Sequence, residues 1–155
     1  MTSNRVNTFT PELFRKEDSE NWQAYLEEHG YVVIKKCLSN QDKIHAFSLF
    51  VEDWNTVTPR FDFHNKNTWA ASNCPMMWNK GMVYWNGLGQ SNFMWYLRTH
   101  PRIRGVYERL FGTNELVVSF DGFSTFISHS QKSPGWLHID QNPLFDYLSV
   151  QGSYN

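Results

Sequence analysis

The sequence predicts an α+β domain in which the helices come first and the strands come last. Apolar residues recur at helical spacing within positions 19–54 and 93–112, and short strand-forming runs follow at positions 113–155, the first of them rich in Val, Phe, Ser and Thr. Elements in this order are expected to form helices packed against one face of an antiparallel sheet. The strand-forming runs are too few to close a sheet, so the sequence predicts an open sheet edge.

The first predicted helix follows a polar stretch at positions 1–18, which we expect to be a flexible leader. Apolar residues at helical spacing place the helix at about 19–29. Asp18 or Ser19 can cap its beginning, and Gly30 can end it.

A strand and a second helix are predicted next. The β-branched run at positions 31–34 predicts the strand. Positions 39–42 (SNQD) resemble a capping box, and the helix that they begin is expected to run to about Trp54. Three further apolar residues at helical spacing mark one helical face together with Trp54: Ile44, Phe47 and Val51.

Positions 55–91 lose this periodicity because Pro and Gly residues interrupt any regular element. Aromatic residues are interleaved throughout the segment: Trp69, Trp78, Tyr84 and Trp85. A long irregular stretch within a compact domain is often functional, so a lid or a pocket wall is one interpretation. A peripheral loop packed by its own aromatic side chains is the other. The 12 Phe, 7 Tyr and 7 Trp of the chain fit either.

Two helices and three strands complete the predicted order. A short helix containing Phe93 and Leu97 is interrupted at Pro101, which begins a further helix that Gly112 ends. Strands are expected at positions 116–127, with a bulge or bend at Gly122, and then at 136–140 and 147–153.

The composition favours a protein that acts on a small molecule. The 14 Lys and Arg nearly balance the 15 Asp and Glu, so no overall field draws the chain to nucleic acid or to an anionic membrane. The longest apolar run, positions 93–97, is far shorter than the roughly 20 residues that span a bilayer. We therefore expect neither nucleic acid nor membrane as a partner.

The cysteines and the N-terminus point to the cytoplasm. Cys37 and Cys74 are too few for a disulfide framework, and their spacing matches no zinc site. The N-terminal residues are polar and lack the apolar stretch of a secretory signal. A reducing, cytoplasmic location is the expectation that fits both features.

His138 and Asp140 form the motif that carries chemistry. They lie two residues apart on a predicted strand, so both side chains are expected on the same face. An imidazole and a carboxylate placed side by side can supply two adjacent ligands to an octahedral metal ion, and a second His would complete the facial triad of non-haem iron(II) oxygenases. Taken alone, the motif also fits a hydrogen-bonded His–Asp pair on a sheet or a surface turn.

The flanking residues resemble the phytanoyl-CoA dioxygenase family of iron(II)- and 2-oxoglutarate-dependent oxygenases. Positions 136–143 (WLHIDQNP) and 149–152 (SVQG) are similar to its core strands. Four earlier segments are similar to its opening helix and strand, to its helical lead-in and to its first core strand: 25–34 (YLEEHGYVVI), 87–91 (GLGQS), 93–98 (FMWYLR) and 116–122 (LVVSFDG). The resemblance covers about positions 20–155, with the pieces in the family's order.

The resemblance implies a fold, two cofactors and a set of site residues. The fold would be N-terminal helices packed on a partial double-stranded β-helix of the jelly-roll or cupin type, in one incomplete domain over positions 1–155. His138 and Asp140 match the first two iron ligands, and Lys80, Asp121 and Gln151 fall near positions that bind 2-oxoglutarate in relatives. Iron(II), 2-oxoglutarate and oxygen are therefore expected, with ascorbate as an assisting reductant. The Asp at position 140 argues against the halogenating relatives.

The family pattern also implies a third ligand, a His on a late strand, and an Arg that binds 2-oxoglutarate. Neither follows Asp140 in this sequence, since the five other histidines all precede it. A jelly roll needs about eight strands. The sequence therefore predicts a truncated domain that is inactive unless a separately encoded C-terminal half completes it. The alternatives are a non-catalytic binding or structural module derived from that fold and a fragment that does not fold.

Overall fold

The computed structural model describes residues 10–75 and 81–125. They contain four short strands and four α-helices, in the order β1 (Leu13–Phe14), α1 (Ser19–His29), β2 (Val33–Ile34), α2 (Asn40–Val57), β3 (Met82–Val83), α3 (Asn92–Arg98), α4 (Pro101–Phe111) and β4 (Phe123–Ser124). Three 3₁₀ turns lie at Lys66–Thr68, Ala71–Asn73 and Leu88–Gln90. None of the described helices is long and apolar enough to cross a membrane.

The described residues belong to two compact units. Among the described residues, one unit contains positions 10–53 and 92–119, and the other contains positions 54–75, 81–91 and 120–125. The strands form two separate two-stranded sheets, of which β1–β2 is parallel and β3–β4 is antiparallel. The jelly-roll sheet that the sequence predicts remains a prediction, because the strands expected at 136–140 and 147–153 lie outside the described residues.

In the first unit, the helix predicted at 19–29 is confirmed as α1. Asp18 occupies the N-cap position, and Gly30 ends the helix in the left-handed conformation, with its N–H donating to the carbonyl of Leu26 at 2.8 Å. Trp22 is fully buried, and its indole N–H donates to the Lys16 carbonyl at 3.3 Å. The single large side chain buried by α1 is therefore also satisfied in hydrogen bonding.

The β1 strand lies inside the stretch that the sequence assigned to the leader. Leu13 pairs with Val33 and Phe14 with Ile34, and Phe14 is buried with its ring 4.9 Å from that of Tyr25. A two-residue strand carries no periodicity of its own, so sequence patterning could not find it. The pairing with β2 and the contact with α1 hold it in place.

The second predicted helix is confirmed as α2, with its capping box. The Asp42 N–H donates to Ser39 Oγ at 3.1 Å, and the Ser39 N–H donates to Asp42 Oδ2 at 2.9 Å. The predicted apolar face is buried only in part, because Trp54 is buried, whereas Ile44 is 68% and Phe47 is 52% exposed.

The face of α2 that packs is set instead by α3. Asp53 Oδ2 accepts the N–H of Phe93 at 2.7 Å, at the beginning of α3, and the Phe93 ring lies 5.2 Å from the Phe50 ring. Nearer the beginning of α2, the centroid of the His45 ring lies 4.8 Å from that of the Tyr96 ring. This face combines aromatic and polar contacts, so an apolar pattern alone does not reveal it.

In the second unit, the beginning of the irregular segment is packed by its own aromatic rings. Phe61 is buried, and it lies 5.5 Å from Trp54, 4.8 Å from Phe63 and 5.9 Å from Trp69, with which it stacks. The Trp69 indole N–H donates to the Asp62 carbonyl at 2.8 Å. Between positions 54 and 69 the structure therefore matches the packed-loop interpretation.

The long strand predicted at 116–127 is wrong over most of its described length. Within positions 116–125, only Phe123–Ser124 is a strand. Val117 is 77% and Phe120 is 74% exposed, and none of the described residues pairs with positions 116–122 in a sheet. A β-branched run favours a strand only where a neighbouring strand accepts its hydrogen bonds.

Candidate functional site

Asp121 is the one predicted site residue that lies within the described part of the chain. Lys80, His138, Asp140 and Gln151 lie outside it, and their arrangement stays a prediction. Among residues 10–75 and 81–125, no three His, Cys, Asp or Glu side chains come together to hold a metal ion. The described structure thus contains Asp121 and none of the predicted iron ligands.

Asp121 is exposed and stands directly ahead of β4. Its Oδ1 accepts the N–H of Gly122 at 2.7 Å, which orients the carboxylate against the chain. The pairing of Val83 with Phe123 and of Met82 with Ser124 then holds β4 against β3, and the Thr125 N–H donates to the Gly81 carbonyl at 2.9 Å. These contacts place Asp121 at the beginning of the β3–β4 pair.

Glycines permit this close approach of backbones. A Cβ built on Gly122 would overlap the carbonyl oxygen of Val83 and lie 2.7 Å from the Cβ of Tyr84. A Cβ on Gly89 would lie 3.1 Å from the carbonyl oxygen of Asp121. The segments at positions 87–91 (GLGQS) and 120–122 (FDG) therefore approach each other closely at glycines.

A second group of polar side chains surrounds His100 in the first unit. His100 is 8% exposed and caps α4, since its Nδ1 accepts the Arg102 N–H at 3.2 Å. Its Nε2 lies 3.5 Å from Asp42 Oδ1, and the Tyr96 hydroxyl donates to the same oxygen at 3.3 Å. No sequence pattern indicates this group, because its members come from α2, α3 and the N-cap of α4.

The His100 group has the residue types of a nucleophilic site but the contacts of a structural one. Ser39 Oγ donates to Asp42 Oδ2 at 2.6 Å, whereas a nucleophile would have to donate to the imidazole. Both imidazole nitrogens are also engaged, one by the α4 N-terminus and one by Asp42. We interpret the group as the polar link between α2 and α4.

Hydrogen bonding shifts the ionisation of Asp42. The Ser39 hydroxyl and backbone N–H, with a smaller contribution from His100, lower the pKa of Asp42 from its ordinary value of 3.8 to about 2. A lowered pKa means that the ionised carboxylate stabilises the folded state. This contribution is present above about pH 4, and it is lost as the pH falls through about 2.

We expect Asp42→Asn to lower the free energy of unfolding at neutral pH and to lower it less as the pH falls from about 4 to about 2. Urea denaturation of both proteins at a series of pH values measures this difference. Ser39→Ala removes the largest cause of the shift and should show the same pH dependence. A deficit of Asp42→Asn that stays constant down to pH 2 would contradict this explanation.

Comparison with known proteins shows a similarity that extends over nearly the whole chain. No family model and no solved structure matches the chain. The chain is similar to Ava biosynthesis cluster protein O of Aspergillus versicolor, with 29% identity over 150 residues. The match covers 95% of this chain and 47% of the relative, so the chain spans about half the length of the curated relative that it matches.

Proposed function

We propose that this chain is the N-terminal part of an iron(II)- and 2-oxoglutarate-dependent dioxygenase of the phytanoyl-CoA dioxygenase type that hydroxylates a small molecule. The observation that carries the proposal is the His138–Asp140 motif, set among segments that resemble the family in the family's order. The described structure supports it at one point, where the segments at 87–91 and 116–122 lie in close backbone contact.

The donor set fits iron(II). One imidazole and one carboxylate, two positions apart on a predicted strand, are the adjacent pair that a facial triad requires. Bound iron would supply the activation of oxygen against a C–H bond, with 2-oxoglutarate as the cosubstrate. His138 and Asp140 would hold the metal, while Lys80, Asp121 and Gln151 would orient 2-oxoglutarate.

The third ligand and the 2-oxoglutarate Arg are proposed to come from further chain, either in the same polypeptide or in a partner. The support is the length of the relative, which is about twice that of this chain. The relative's name places that protein in a biosynthesis cluster. A small-molecule substrate for this protein fits that name and the balanced charge of the chain.

The proposal predicts that residues 1–155 alone release no succinate in sustained turnover, because one protein ligand and the charge-assisted contact of the Arg are missing. The assay combines purified protein with iron(II), ascorbate, 2-oxoglutarate and oxygen and follows succinate. The same assay on a protein extended by the coding sequence downstream is expected to show release. Sustained release from residues 1–155 would show that no further ligand is needed.

A further inference from the structure

The parallel pairing of β1 with β2 brings two basic turns side by side. Parallel strands end at the same edge of their sheet, and each of these strands is followed by two cationic residues: Arg15 and Lys16 after β1, Lys35 and Lys36 after β2. The Lys35 N–H donates to the Phe14 carbonyl at 2.8 Å, which holds the second turn beside the first. Lys36 adopts a positive φ of 55° there.

These turns line a cleft with a volume of about 550 Å³. Its lining contains five cationic residues and one acidic residue: Arg15, Lys16, Lys35, Lys36 and Arg102, with Glu17 as the acid. Cys37 completes the lining, and its thiol donates to the Arg102 carbonyl at 3.6 Å, which joins the β2 turn to the first turn of α4. The N-terminal end of α4 adds the positive end of its dipole.

The positive charge of this cleft is not balanced within the described residues. None of the five cationic side chains forms an ion pair with the described part of the chain. Arg15 and Lys35 also border a neighbouring cleft that Glu12, Asp18 and Glu28 line, whereas Lys16, Lys36 and Arg102 do not. The last three cations therefore face no acidic lining residue other than Glu17.

We propose that this cleft binds a small molecule through a pyrophosphate group. A volume of about 550 Å³ lies in the range of small-molecule sites, and two adjacent phosphoryl groups can contact cations from both turns and from α4. The chain as a whole carries a formal charge of −1, so the positive charge is local to the cleft rather than a stripe for a long polyanion. This site does not depend on the proposed iron chemistry.

Isothermal titration of the full chain with inorganic pyrophosphate at low ionic strength tests the site. Lys16→Gln combined with Arg102→Gln is expected to weaken binding by at least about tenfold, because two charge-assisted contacts are lost. The matched control combines Lys43→Gln with Lys66→Gln, two exposed lysines outside the lining, and should leave the affinity unchanged. Equal weakening by both pairs would overturn the proposal, as would no binding to the unaltered chain.

Two further measurements do not depend on a loss of affinity. Glu17→Gln removes the acidic lining residue and is expected to tighten pyrophosphate binding by a fewfold, which a folding defect cannot imitate. Pyrophosphate should also slow alkylation of Cys37 and not of Cys74. Burial raises the pKa of both thiols, but the positive charges of Lys16 and Arg102 partly oppose the rise at Cys37. A bound anion would neutralise these charges and so reduce the fraction of Cys37 in the reactive thiolate form.

An unchanged or weaker affinity in Glu17→Gln, or equal protection of both cysteines, would contradict the assignment. Titration with a short single-stranded RNA separates a small-molecule site from a nucleic-acid site. RNA binding that is tighter than pyrophosphate binding and is lost with Lys16 and Arg102 would replace the proposal with a nucleic-acid surface.

Discussion

Replacing His138 with alanine is expected to weaken the binding of manganese, used as an oxygen-stable substitute for iron(II), by more than about 100-fold. Removal of a residue that only orients a metal ligand already costs ~10–100-fold in affinity, and His138 is proposed to be a ligand itself. With His138 absent, Asp140 would be the one protein ligand left on the predicted strand. Isothermal titration of residues 1–155 measures the change.

His64→Ala is the matched control for His138→Ala. His64 is exposed, and its backbone N–H donates to Asp62 Oδ1 at 2.8 Å. Loss of the imidazole leaves this backbone contact in place. The control should bind manganese as the unaltered chain does. Equal binding by His138→Ala would remove His138 from the proposed site. No manganese binding by the unaltered chain would favour the alternative of a non-catalytic module.

Gly122→Ala is expected to lower the free energy of unfolding by ~1–3 kcal/mol, the usual cost of forcing an extra group into a packed site. The new Cβ would overlap the Val83 carbonyl oxygen and approach the Tyr84 Cβ to 2.7 Å. Both neighbours lie on or next to β3, so the strand pair must separate to admit the methyl group. Urea denaturation followed by tryptophan fluorescence measures the loss.

Gly105→Ala is the matched control, because the same methyl group is added in the interior of α4. Its Cβ would meet the Arg109 guanidinium at an ordinary distance of 3.7 Å. Alanine costs less backbone entropy than glycine in a helix, so we expect a gain of ~0.5–1 kcal/mol. A Gly122→Ala protein as stable as the unaltered chain would show that β3 and β4 are not held as closely as described.

The sequence was most informative where structure depends on near neighbours. The predictions for α1 and α4 are confirmed, together with the glycines that end them, because a left-handed residue after an apolar repeat is a local signal. Pro101 at the first turn of α4 is likewise confirmed. The capping box predicted from four consecutive residues is also confirmed, by the reciprocal hydrogen bonds between Ser39 and Asp42.

The candidate iron site could be predicted only as far as a motif and a resemblance reach. His138 and Asp140 lie two positions apart in the sequence, so strand geometry predicts a common face for them. Asp121 was proposed from resemblance. Its position ahead of β4 depends on the pairing of β4 with β3, a two-residue strand that no sequence periodicity predicts. The His100 group and the basic cleft escaped prediction because each is assembled from separate segments.

By itself, the sequence determined α1 and α4, the glycines that end them and the capping box of α2, since each of these depends on residues within a few positions of one another. The metal chemistry of the His138–Asp140 motif stays a prediction. Only the tertiary structure decided that Leu13 pairs with Val33, that α2 packs through Asp53 and His45 rather than through Ile44, and that β4 is short. Strand pairing and helix packing draw their stability from partners distant in the chain, and no local pattern specifies which partner will be present.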